Sequence, residues 1–143
     1  MALARKDPYR AHNFRIEIDG IDRGGFRQVS GLETTSTPID YREGDQPLHV
    51  QKLTGLVSYA PIVLQGGLTD DDALWKWRKS AMDGDVERKN GSIILLDEQQ
   101  KEVARWNFSD AWPSKWTGPS FNATSNEVAI ESLEITHEGV ARA

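Results

Sequence analysis

Apolar and polar residues alternate in short runs along most of this chain, and only one segment changes to a helical spacing. In Asn13–Asp19 (NFRIEID), Phe14, Ile16 and Ile18 alternate with Arg15, Glu17 and Asp19. That is the pattern of a strand with one wet face. Gly20–Gly25 (GIDRGG) reads as a turn. Phe26 and Val29 in FRQVSGLE are out of phase, which predicts a bulge or bend near Gly31. Thr35–Glu43 alternates again through Ile39 and Tyr41, with Pro38 marking its start or an edge position. Val57–Gln65 (VSYAPIVLQ) reads as one strand, well covered at Ile62, Val63 and Leu64; Ile93 to Leu96 form another covered strand, and Glu102–Phe108 continues as a strand after the turn DEQQKE. By contrast, Ser109–Phe121 (SDAWPSKWTGPSF), with two tryptophans and two prolines, reads as irregular.

The helical segment is expected over about 69–82. Thr69 stands as N-cap, Asp70, Asp71 and Asp72 fill the first turn, and Leu74, Trp77, Arg78 and Ala81 make an apolar-flanked stripe with Trp75 off it. Gly84 is the stop. Three successive acids at a helix start read as a dipole complement more readily than as a cation site. Gly44–Gly55 (GDQPLHVQKLTG) is polar and only weakly alternating, so it reads as a long exposed connection or a projecting hairpin tip.

Asn126–Val140 (NEVAIESLEITHEGV) poses the sharpest problem. Val128 and Ile130 alternate with polar neighbours, and then Leu133 and Ile135 continue in the opposite phase. A one-residue phase shift turns the apolar set to the other face of a strand. Either a bulge near Glu131–Ser132 lies within one ordinary sheet, or the two halves serve different surfaces.

A length of 143 residues suits one domain with its own core, spanning 1–143 and β-rich with a single helix. Zero cysteines exclude disulfides and thiolate metal sites. No run reaches the ~20 apolar residues of a membrane-spanning helix, and the first residues, MALARKDPYRAHN, lack the apolar core of a cleaved signal. The net charge of −5 argues against a clamp on a phosphate backbone. The five tryptophans point to large buried contacts.

Catalytic chemistry finds no constellation. His12, His49 and His137 are far apart, lack metal-type spacing and are expected to face solvent. There is no Gly-x-Ser-x-Gly elbow, and the Gly-Gly pairs lack a following Gly-Lys-Ser/Thr. The expectation is therefore a non-enzyme with no cofactor, no metal and no catalytic residue.

The ordered set FRIEIDG, FRQVSGLE, IDYREGD, IVLQGGL, LWKW, SIILLDE, WNFSDAWPSKWTGP and NEVAIESLEITHEG, from about residue 8 to 140, resembles the tail-tube proteins of contractile phage tails. It also resembles those of phage-tail-like injection particles, a superfamily that includes Hcp of the type VI secretion system. The resemblance implies a mainly β fold, a β-barrel or sandwich of about seven to nine strands with one flanking helix. It implies hexameric rings stacked into a hollow tube inside a contractile sheath. Such a tube is driven through a target envelope and conducts DNA or protein cargo. Implied partners are further copies of the chain, the sheath protein, baseplate and tube-terminator proteins, and the passing cargo, with no specific nucleic-acid binding and no membrane anchor. Implied placement is assembly in the bacterial cytoplasm, then residence in a phage virion or an injection particle.

Carried onto this sequence, the resemblance implies inter-ring contacts at Asp7, Pro8, Tyr9, Arg10, Glu43, Gly44, Asp45, Gln46, Pro47, Leu48 and His49. It answers the phase problem with an inter-subunit sheet through Glu131, Leu133, Ile135 and His137. Candidate lumen charges are Glu127, Glu131, Glu134 and Glu138, which would repel phosphates or acidic cargo; the plain alternative is solvated charge that keeps the protein soluble. Two other functions compete with the main tube subunit. One is a tube-initiating adaptor at the baseplate. The other is a monomeric β-barrel module using its Trp-rich segment to bind a ligand.

Overall fold

The computed structural model describes residues 8–11, 13–21, 25–42, 44, 50–124 and 126–143. Among these residues nine strands and one helix follow in the order β1 (Phe14–Ile18), β2 (Phe26–Ser30), β3 (Thr34–Tyr41), β4 (Gln51–Tyr59), β5 (Ile62–Gly67), α1 (Ala73–Met82), β6 (Lys89–Leu96), β7 (Glu102–Thr117), β8 (Ile130–Thr136) and β9 (Gly139–Arg142). All pairings are antiparallel. Strands β1, β6, β7 and β9 make one layer, and β7, β8, β5 and β2 make the other. The result is sandwich-like rather than a closed barrel, because β1 and β2 end the strand order.

Strand β7 belongs to both layers, and the bend is written into its residues. Phe108 pairs with Gly91 and Ala111 with Lys89, so Ser109 and Asp110 together oppose Asn90 alone. Asp110 takes a left-handed φ of 53°, and its N–H is held by Asn90 Oδ1 at 3.0 Å. This is a bulge that re-aims the strand. A second shift lies between Pro113 and Lys115, where Ser114 Oγ donates to the Glu134 carbonyl at 3.2 Å. A bulge is one of the few sheet positions that tolerate proline. Of the stretch expected to be irregular, Ser109–Thr117 is therefore continuous strand, and only 118–121 lie outside it.

Between the layers, Ile16 and Ile18 of β1 meet Ile62 and Leu64 of β5, Leu133 and Ile135 of β8, and Ile93 and Phe108. Helix α1 caps this core with Leu74 and Trp77. It starts at Ala73, later than the sequence suggests: Asp70 and Asp71 precede it and Asp72 is the N-cap. Asp71 Oδ1 accepts the Ala73 N–H at 3.0 Å, while Thr69 Oγ1 accepts that of Asp71 at 3.3 Å. The three acids thus precede the helix rather than fill its first turn. At the other end Gly84 has φ +83°, and Gly84 and Asp85 donate to the carbonyls of Ala81 and Ser80. That glycine-closed arrangement satisfies carbonyls the helix leaves open.

The strand β8 resolves the phase problem without a bulge in it. Its register with β5 runs unbroken from Ile130 to Ile135, and the residues before Ile130 are not strand. Val128 is 74% exposed and belongs to the preceding loop. Only the second phase, through Leu133 and Ile135, ever had a core to face.

Candidate assembly surfaces

Among the described residues, strands β3 and β4 pair only with each other, forming a ribbon that leaves the body between β2 and β5. Nearly every residue on it is exposed. Its register sets Ile39 opposite Leu53 and Asp40 opposite Lys52, so one face near the far end is apolar and the other carries an ion pair. Leu56 is 88% exposed and Val57 55%. At Gly55 the backbone passes so close to the Thr37 carbonyl that no side chain fits, which is the point where the register shifts. Within the segment read as a connection, residues 51–55 are strand. The sequence signal was present in Leu53, Leu56 and Val57, but Gly55 and the bulge put them out of phase.

The sequence-derived candidates fall differently. Pro8, Tyr9, Arg10 and Gly44 are on the surface. Asp7, Glu43 and Asp45, Gln46, Pro47, Leu48 and His49 lie outside the described residues. Leu133 and Ile135 are wholly buried in the subunit's own core, and β8 is flanked by β5 on one side and β7 on the other. Neither their side chains nor their backbone can form a sheet with a neighbouring subunit, which corrects the expectation from the alternation. Glu131 and His137 point the same way and are buried too. His137 does not face solvent, as the sequence had suggested; His12 and His49 lie outside the described residues.

Of the four carboxylates proposed for a lumen, Glu131 is excluded by this burial: its Oε2 accepts the Trp116 indole N–H at 3.2 Å. Trp75 of α1 packs edge-on against Trp116, with 4.8 Å between centroids, and so closes that end of the sandwich. Glu138 is exposed but bonded to Arg88 Nη1 at 2.8 Å. Glu134 lies on the outer face of β8, half-buried, and Glu127 is exposed in the loop before it. The four do not share one face.

On the outer face of the first layer, Arg15, Glu17, Arg105 and Glu102 form a chain of ion pairs at 3.2, 3.5 and 2.7 Å. Arg15 and Arg105 flank the fully buried Ile94 across the strands, so their stems shield it while the charged heads stay wet. The hydrogen bonds from Arg105 hold the Glu102 carboxyl below its ordinary range, and the same bonds raise Arg105. Among the described residues no cluster of His, Cys, Asp or Glu is placed to hold a metal ion.

The family model of the T4-like virus tail tube protein gp19 matches residues 10–141. The chain belongs to that family. It is a structural tube subunit. Similar solved structures agree in fold. A chain in the cryo-EM structure of an extracellular contractile injection system, the PVC sheath-tube complex in its extended state, is 29% identical with a TM-score of 0.86, over 95% of this chain and 91% of that one. A chain in the structure of the anti-feeding prophage tube-terminating cap is 28% identical with a TM-score of 0.88, over 100% and 95%. Hcp1 from Flavobacterium johnsoniae shares the fold at 16% identity and a TM-score of 0.57, over 91% and 94%. No curated protein matches at the sequence level. The tail tube family is a component of phage tails or extracellular injection particles.

Proposed function

We propose that copies of this chain, each a single tail-tube domain, close into hexameric rings that stack into a hollow tube. The observation that carries this reading is the β3–β4 ribbon. A lone two-stranded hairpin is marginal in water, and this one also exposes Ile39, Leu53, Leu56 and Val57. Burial against a second copy removes that apolar surface and covers two unpaired strand edges. In this reading Pro8, Tyr9, Arg10 and Gly44, with Asp7, Glu43 and 45–49, mediate contacts between rings. Glu127, Glu134 and Glu138 are the remaining candidates for charge facing the lumen.

The tube sits inside a sheath between a baseplate and a terminator, partners supported by the relatives' own settings in a sheath-tube complex, a baseplate and a tube-terminating cap. It assembles in the bacterial cytoplasm, performs no catalysis and conducts DNA or protein cargo. Negative-stain electron microscopy of the purified protein over a concentration series tests this. Rings or hollow filaments with six-fold end views are expected. A monomer at every concentration, even with a baseplate template supplied, contradicts it.

A further inference from the structure

The ribbon meets the body chiefly at its root, and the backbone of one residue there is held from both sides. Ala60, between β4 and β5, donates its N–H to the Glu33 carbonyl at 3.1 Å, which ties the two ends of the ribbon together. Its carbonyl in turn lies 3.1 Å from Nε2 of His137, which follows β8 in the body. A carbonyl only accepts, so Nε2 carries the proton and Nδ1 is left with a lone pair. Nδ1 is fully buried, and among the described residues it has no hydrogen-bond partner.

Two aromatic rings lie against it. Tyr59, the last residue of β4, places its ring 5.5 Å away, and Phe108 of β7 lies at 6.3 Å. Glu138 is next in the chain, but its carboxylate is bonded to Arg88. Glu33 contributes its backbone carbonyl, already taken by Ala60. Among the described residues no carboxylate pairs with the imidazole. A second proton would therefore put an N–H without an acceptor, and a charge without a counter-ion, inside the fold. The Tyr59 ring is near enough to attract a cation, but a ring face does not replace the carboxylate or carbonyl that a buried charge requires. The ring can escape only by leaving its pocket, and it then releases Ala60.

We propose that His137 is a pH-sensitive strut: neutral, it fixes the angle of the β3–β4 ribbon; protonated, it frees the ribbon and disfavours docking on a neighbouring subunit. The consequence for docking rests on the assembly reading above, whereas the effect on the ribbon root does not. Imidazole is the one side chain whose ordinary titration falls in the mildly acidic range, so measurements at pH 7.5 and 5.5 test the switch.

Hydrogen–deuterium exchange of the full chain at these two pH values, with times scaled for intrinsic exchange, tests it. Peptides over Thr54–Ile62 are expected to lose about tenfold in protection at the lower pH while β6 is unchanged. His137→Gln keeps an N–H for the Ala60 carbonyl but takes no proton, so its root stays protected at both values. His137→Phe offers no donor and is loose at both. A pH step of equal size in His137→Gln, or none in the unaltered protein, overturns the proposal. Microscopy of the same samples separates the two readings. An exchange step without rings at either pH upholds the strut and counts against assembly. Rings with no exchange step overturn the strut and leave assembly standing.

Discussion

Trp116 and Glu131 are bonded to one another inside the subunit, the indole N–H of β7 meeting a carboxylate of β8 that is only 3% exposed. A buried acceptor of this kind cannot be removed cheaply, because its partner is left without a hydrogen bond. Glu131→Ala is expected to destabilise the isolated subunit by about 1–3 kcal/mol. Glu131→Gln, whose amide oxygen still accepts, should lose less than half as much. Urea unfolding followed by tryptophan fluorescence gives both numbers, and equal losses would mean the bond to Trp116 is not what holds this end.

Leu133 separates core from interface. It has no exposed surface and packs with Ile62, Leu64 and Ile135 between the layers. Leu133→Ala should cost about 2–5 kcal/mol through the cavity left behind, and Leu133→Asp should prevent folding. A folded Leu133→Asp monomer that merely fails to form rings would restore the discarded assignment of this residue to a subunit interface.

What could be read in the sequence follows from which elements bury a face within one chain. Strand β1 was legible because Ile16 and Ile18 point into the core while Arg15 and Glu17 do not. The stripe of α1 was legible for the same reason, through Leu74 and Trp77. Of β7, only Glu102–Phe108 was legible, since two bulges and Pro113 break its period where it passes from one layer to the other. In β8 the apolar phase was readable but its meaning was not, because Val128 mimicked a strand position it does not occupy and Glu131 looked like surface. Of the ribbon, β3 was legible through Ile39 and Tyr41, whereas the extent of β4 was not, because no core of its own imposes a period on Leu53, Leu56 and Val57. Family membership was legible all the same, from the order of whole motifs rather than any one of them.

The Glu102–Arg105 pair predicts a modest pH effect. Its folded carboxyl titrates below the ordinary glutamate range because Arg105 bonds to it. A carboxyl lowered on folding contributes stability above its unfolded pKa and loses it as pH falls through the folded value. The pair is exposed, so salt should screen it. NMR titration should place the Glu102 midpoint below those of unpaired glutamates, and Arg105→Ala should return it to their range. A midpoint that does not move would show that the bond is absent in solution.

The ribbon predicts the reverse of Leu133. Leu56 is 88% exposed in the subunit, so Leu56→Asp removes no core contact and should change stability by no more than about 0.5 kcal/mol. Under the assembly reading, however, the same carboxylate would be buried against a neighbour without a partner, a heavy penalty repeated at every interface of a ring. The variant should therefore melt like the parent protein and yet give no rings or tubes under the microscope. Leu56→Met, of similar volume, should assemble normally. Tubes of ordinary appearance from Leu56→Asp would show that the ribbon's apolar residues stay in water, and the interface would have to be sought elsewhere on the sandwich.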